Sequence, residues 1–306
     1  MKSRWQKFRE SLFLYSFLRD PVAVVSFVIM VTLFGLALFA PLIAPFNPYD
    51  PTQIDIMNSE LPPFWMAGSD PQFLLGTDAQ GRDMLSTMLY GMRISIAIGI
   101  GAVALQAFVG IIVGLFAGYM GKKVDAILMR IADVQLSYST YMVAIFIGAI
   151  FQAAFGVANY AKVAVPLLIL IIGIAEWPQY ARTVRASVLA ERKKEYVEAA
   201  KVIGLPNTRI MWRHILPNAL SPVLVISTVQ VANAVMSEAA LSFLGLGLPI
   251  TMPSMGSLIN AGFEYIFSGS WWITIFPGVL LIILVLVINL LGDWLRDYLN
   301  PKLYKG

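Results

Sequence analysis

Two carboxylates, Glu176 and Glu238, stand inside long apolar runs. A charge at membrane depth costs about 2.5–3.5 kcal/mol on insertion scales, so an acid kept there is a candidate for function. Glu176 precedes Trp177-Pro178, where it can reach the membrane interface or satisfy backbone groups loosened by the proline. Glu238 has no obvious partner in the sequence; it can line a pathway or gate, or hydrogen-bond across an interface with a second membrane subunit. Gln106, Gln135 and Gln230 are neutral residues of the same kind, and Gln135 and Gln230 join Glu238 as pathway or gate candidates. Outside the apolar runs, Asp78, Arg82 and Asp83 can touch a delivered ligand, or pair with one another and fix their own loop.

Other chemistries lack their residues. There is no cysteine and a single histidine, His214, so thiolate and multi-histidine metal sites are excluded. Nothing forms a nucleophile–base pair, which argues against a membrane-embedded enzyme. Gly121-Lys122-Lys123 lacks both the upstream glycine and the hydroxyl of a phosphate-binding loop, so the chain does not hold ATP in that way.

The elements that must carry these residues are membrane helices. Of the 306 residues 58% are hydrophobic and 13% charged, against about 45–50% and about 25% in soluble domains. The apolar residues come in six runs long enough to cross a bilayer, near 22–44, 94–119, 126–155, 163–180, 220–245 and 272–291. The runs are continuous rather than alternating, which favours helices over barrel strands. The first is longer than a signal-peptide core and is read as an uncleaved span. Of the 22 basic residues, 19 fall in the amino-terminal segment, the connection after the second span, the 181–218 loop and the tail; Arg82, Arg93 and Lys162 alone fall on the other side. This bias places both termini in the cytoplasm, and an even number of spans agrees with it. It also explains the basic runs without a nucleic-acid partner.

Three connections lie outside the bilayer. The 45–93 loop is external and rich in proline and aspartate, the 246–271 loop is external, and the 181–218 loop is cytoplasmic and helical in pattern. Gly110, Gly114 and Gly118 share one face of the second span and predict close helix packing. In the cytoplasmic loop Tyr196, Ala199, Ala200 and Ile203 recur at i, i+3, i+4, i+7 and predict one apolar face of a short helix. Glu195 and Glu198 fall outside that face, and Glu198 can pair with Lys201. Gly204 is a stop signal, Leu205-Pro206 a turn, Asn207 or Thr208 a cap for a second piece, and Pro217 its end. The apolar face can dock a cytoplasmic partner or lie on the lipid surface as an amphipathic helix.

Glu198-Ala199-Ala200, then Gly204, then Ile215-Leu216-Pro217 resembles the loop signature of bacterial ABC importer permeases. Leu75 to Asp83 with Gly91-Met92-Arg93-Ile94-Ser95, Glu238 to Gly247, Phe276-Pro277-Gly278, Gly292 to Asp297, and Asn300-Pro301-Lys302-Leu303 resemble the dipeptide, oligopeptide and nickel group. Within that group the similarity is to the C-type, or second, permease. The resemblance implies an all-α membrane protein with six transmembrane helices, a five-helix permease core plus an added amino-terminal helix. It implies a cytoplasmic segment 1–21, a first helix 22–44, a periplasmic loop 45–93, a core 94–292 and a cytoplasmic tail 293–306, in the bacterial inner membrane. It further implies a second homologous permease, two ATPase subunits docked through Glu195, Glu198, Ala199, Ala200, Gly204, Leu216 and Pro217, and a periplasmic or lipid-anchored binding protein. ATP and Mg2+ would reside on the ATPases, with no cofactor on this chain. Met255 stands where the family usually has tryptophan, and Ser137-Tyr138-Ser139-Thr140 where it has a proline, so no substrate is carried over. An ion-gradient-driven secondary transporter is the alternative. It would need an internal repeat and a self-contained acidic site, and the sequence shows no repeat.

Overall fold

A computed structural model describes residues 12–249 and 251–299. The basic residues Lys2, Arg4, Lys7, Arg9, Lys302 and Lys305, and the Asn300–Leu303 motif, lie outside the described residues. Among the described residues the chain is helical, with one isolated antiparallel bridge between Thr77 and Asp83.

The amino-terminal part begins with α1 (Leu12–Arg19) and α2 (Pro21–Leu38). Asp20 caps α2 by accepting from the amides of Val22 and Ala23 at 3.0 and 3.1 Å, with Pro21 in the first turn. Ala23, Ser26, Leu33 and Ala37 face inward, while Val25, Val28 and Val31 are exposed, as on a lipid-facing helix. The rings of Phe13 and Phe17 meet Trp294 edge-on at 5.1 Å, so α1 is seated against the end of the last helix.

The second span is α3 (Met84–Met120), 37 residues long. It starts inside the 45–93 stretch expected to be loop, because Asp83 caps it: Asp83 Oδ2 accepts from the Ser86 amide at 2.8 Å. After α3 come α4 (Lys122–Leu136) and α5 (Thr140–Glu191). The expected straight span over 126–155 is a broken one: α4 and the Thr140–Phe151 stretch meet at 80° across 137–139. As a single straight helix, the 52 residues of α5 would be about 78 Å long, more than twice a bilayer core of roughly 30 Å. Gly156, at φ 74 and ψ 160, interrupts it. The Thr140 hydroxyl donates to Glu176 Oε1 at 2.9 Å, although 36 straight helical residues would separate them by about 54 Å. The chain therefore reverses between them. The helix then runs on to Glu191, ten residues beyond the expected start of the cytoplasmic loop.

Among the described residues the other helices of eight or more residues are α6 (Glu195–Val202), α7 (Ser221–Phe243), α8 (Met255–Phe263) and α9 (Trp272–Tyr298). Among the described residues five helices are long and apolar enough to cross a membrane, and the bent pair, counted as one span, brings the number to the six expected.

Among the described residues two large apolar cores hold the bundle, and a small third cluster joins Ala132, Trp177 and Ala181. One large core joins α3, α5, α6 and α7 through residues such as Leu115, Tyr180, Val184 and Ile215. The other joins α2, α3, α7, α8 and α9 through Leu33, Met92, Met255 and Leu284. The glycine face of α3 lies in the first. A Cβ on Gly114 would sit 2.5 Å from the Ala181 carbonyl oxygen, so no larger residue lets the α3 and α5 backbones approach this closely.

Candidate functional site

The 181–218 element, expected to be cytoplasmic, is built on α6. Val197 and Ala200 are its buried residues, packed in one cluster with Ile210, Met211 and Ile215 from the segment that follows. Of the expected apolar face of Tyr196, Ala199, Ala200 and Ile203, Ala200 is packed against the chain and the other three are left exposed. Ala199 is exposed, and Val202 and Ile203 are 87% and 73% exposed. The helix stops as its sequence predicts. Leu205 N–H donates to the Ala200 carbonyl at 3.1 Å and Gly204 N–H to that of Lys201 at 3.0 Å, with Gly204 at φ 78. These are the two bonds of a Schellman motif, whose position after the cap requires the left-handed conformation.

Neither Asn207 nor Thr208 caps the next piece; Pro206 holds that position. Asn207 instead accepts a hydrogen bond from the Tyr119 hydroxyl at 2.7 Å, and Arg192 donates to the Tyr119 carbonyl at 2.7 Å. The expected Glu198–Lys201 ion pair is absent among the described residues; Lys194 Nζ instead lies 2.5 Å from Glu191. The Tyr196 hydroxyl donates to Glu191 at 2.6 Å, and partial burial first, then this carboxylate, holds its pKa above the usual phenol value. Glu195, Glu198 and Pro217 are exposed and Leu216 is half-buried. The result is a short helix fastened to the carboxyl-terminal ends of α3 and α5, showing small and apolar residues outward beside two acids.

A second feature lies within the bundle, between α5 and α7. A cavity of about 250 Å³ is lined by Gln106, Glu176, Gln179, Gln230 and Asn233, with Tyr141 at its edge. Gln179 donates to Glu176 Oε2 at 2.6 Å, Asn233 to Gln230 at 2.8 Å, and Gln106 to the Ile172 carbonyl at 3.3 Å. Gln230 is therefore at this cavity, whereas Gln135, half-buried near the end of α4, does not line it. Gln179, Asn233 and Ser237 were missed by sequence reasoning. Their signal is a polar stripe on each helix: Glu176, Gln179, Thr183 and Gln230, Asn233, Ser237 both follow i, i+3, i+7.

Glu238 is corrected on two counts. It has partners within the chain, accepting from Ser95 Oγ at 2.6 Å and Ser242 Oγ at 2.7 Å. It is also fully buried, so in this conformation it crosslinks α3 to α7 rather than facing a pathway. Ser95 in turn accepts from the Met255 amide at 3.3 Å, which adds α8 to the knot.

The external trio is likewise turned inward. Asp78, Arg82 and Asp83 are at most 5% exposed. Arg82 Nε lies 2.7 Å from Asp78 Oδ2, and Asp78 Oδ1 also accepts from the amides of Gln80 and Arg82. Burial raises the Asp83 carboxyl above the usual range, against the hydrogen bonds from Ser86 that pull it down. These side chains shape the loop and are not presented to an external ligand. Trp272 Nε1 donates to the Thr77 carbonyl at 3.1 Å and Ser270 to Glu60 at 2.7 Å, which lays the loop on the start of α9.

These features define a helical membrane protein with a self-contained 56–83 loop, a short helix α6 with an exposed apolar face and a polar cleft between two spans. Residues 110–305 match the family of binding-protein-dependent transport system inner membrane components, and residues 3–63 match the N-terminal transmembrane domain of oligopeptide transport permease C. The chain belongs to this family and is a permease subunit of an ABC importer, the non-catalytic membrane component. It is 35% identical to a di/tripeptide transport system permease protein of Pseudomonas aeruginosa over 95% of this chain and 91% of that one. It is 38% identical to a dipeptide transport system permease protein of Escherichia coli K12, over 95% and 92%. The fold is similar to that of a chain in the inward-facing MetNI methionine ABC transporter, with a TM-score of 0.55 and 19% identity, covering 71% of this chain and 98% of that chain. Membership sets aside the secondary-transporter alternative.

Proposed function

We propose that this permease carries di- or oligopeptides across the bacterial inner membrane, with both termini in the cytoplasm. It forms half of the pathway, the other half coming from a second homologous permease. Two ATPase subunits holding ATP and Mg2+ dock on the 195–217 element, and a periplasmic or lipid-anchored binding protein delivers the peptide. The names of the relatives support the substrate class.

The observation that carries the coupling assignment is the outward face of α6. Ala199, Val202 and Ile203 are exposed on a helix whose inner residues are rigidly seated in the permease core. A docked ATPase would cover that face, and motion of the ATPase would pass to α3 and α5 through Tyr119, Asn207 and Arg192. Switching requires tighter docking in one transport state than in the other, not contact alone. Val202→Asp and Ala199→Arg test the assignment, since both change the outer surface and spare the buried Val197 and Ala200. Dipeptide uptake is expected to fall at least tenfold while insertion and assembly with the second permease are unchanged. Wild-type uptake by both variants would remove α6 from the coupling role.

A further inference from the structure

We infer that the cavity between α5 and α7 is a transient substrate site in which the Glu176 carboxylate receives the terminal ammonium group of the passing peptide. This rests on the peptide-permease reading above and assigns chemistry to one place in it.

Glu176 lies midway along the Lys162–Glu191 span and points into the cavity. The groups that hold it are neutral: the Thr140 hydroxyl at 2.9 Å on Oε1 and the Gln179 amide at 2.6 Å on Oε2. Among the described residues the ion pairs are Arg82–Asp78, Arg182–Asp133, Arg185–Asp125 and Lys194–Glu191, and Glu176 is in none of them. A carboxylate at this depth, oriented by neutral donors and open to a cavity, is complementary to a cation that comes and goes. Amides make up most of the remaining polar lining, beside Tyr141 and Ser237: Gln106 and Gln230 are 1% and 2% exposed, and Asn233 is exposed. Amides offer both a donor and an acceptor, as a peptide bond requires, whatever side chain the peptide bears. Gln179, Gln230 and Asn233 also line an adjoining cavity of about 620 Å³ that has Arg296 on its wall, so a guanidinium awaits further along for the peptide's carboxylate end. Carboxylate first and guanidinium later matches a zwitterionic peptide. Amide oxygens could also ligate an inorganic cation, but such a site would not need the arginine.

The test uses the assembled transporter in proteoliposomes, with its second permease, ATPases, binding protein and ATP. Glu176→Gln removes the charge but keeps the size and one acceptor oxygen for Gln179, and the Thr140 hydroxyl can turn to accept from the new amide, so a purely structural Glu176 would tolerate it. Maximal Ala-Ala uptake is expected to drop about tenfold or more, the scale of a charge-assisted hydrogen bond, with binding-protein-stimulated ATP hydrolysis retained. Glu176→Asp is expected to recover part of the uptake. Uptake by Glu176→Gln equal to wild type overturns the ammonium site and leaves the peptide-permease reading standing. Wild-type uptake that follows a sodium gradient and loses that dependence in Glu176→Gln also overturns it, in favour of an inorganic cation. A wild-type transporter that does not take up Ala-Ala sinks the peptide reading and the ammonium site together.

Discussion

Two loops, proposed to lie on opposite sides of the membrane, divide their residues in opposite ways. The external loop between Ile56 and Asp83 turns its charges inward: Asp78, Arg82 and Asp83 are buried, and its backbone is bonded to its own side chains and to the start of α9. The cytoplasmic element turns apolar surface outward: Val202 and Ile203 are exposed, and only a narrow inner edge is packed. Burying charge is costly unless each group finds a partner, so the external loop behaves as a finished scaffold. Exposing large apolar residues on a rigid helix leaves an unfinished surface, which suits a docking element. Damage to the first should therefore act through stability and damage to the second through coupling.

The largest expected effect sharpens that division. Asp78→Ala leaves the buried guanidinium of Arg82 facing an apolar methyl and removes the acceptor for two amides. Thermal unfolding of the purified chain should show a loss of about 3 kcal/mol, the scale of breaking a buried pair. Uptake per folded molecule should be unchanged; a fall in uptake at full stability would instead make the external loop a contact surface. Gly204→Ala is milder. A Cβ there meets nothing within 4 Å, so the cost is that of holding alanine at φ 78, about 1 kcal/mol. This variant should lower stability slightly and uptake more, because the turn fixes the exit of α6. Equal loss in both measurements would blur the comparison.

Much of this architecture is legible in the sequence because its signals are local. Continuous apolar runs locate the spans, glycines at four-residue spacing locate the α3–α5 contact, and Gly204 locates a helix end. What failed depends on distant partners. Which face of α6 is inward is decided by Ile210, Met211 and Ile215, and periodicity over eight residues cannot choose between Ala199 and Val197. The partner of Glu238 is 143 residues away, so a sequence scan finds the acid but not Ser95. The bend at 137–139 has no proline to announce it. The polar stripes on α5 and α7 were visible in spacing, but only their juxtaposition makes a cavity.

The smallest effect concerns Asp83, where the two forces on one buried carboxylate can be separated. Burial pushes its pKa up, and hydrogen bonds from Ser86 and the backbone pull it down; burial wins. The folded chain thus holds this proton more tightly than the unfolded chain. The group's contribution to stability is greatest in acid and is lost as pH rises from the ordinary carboxylate range through the raised value. Asp83→Asn keeps an oxygen to accept from the Ser86 amide and carries no titrating proton. Stability of the Asn variant relative to wild type should rise with pH across that window, by about 1 kcal/mol or less. Thermal unfolding in steps from mildly acidic to neutral pH measures the difference. A difference that shrinks as pH rises would mean that the Ser86 bonds outweigh burial. The external loop would then be held by its charge at Asp83, not in spite of it.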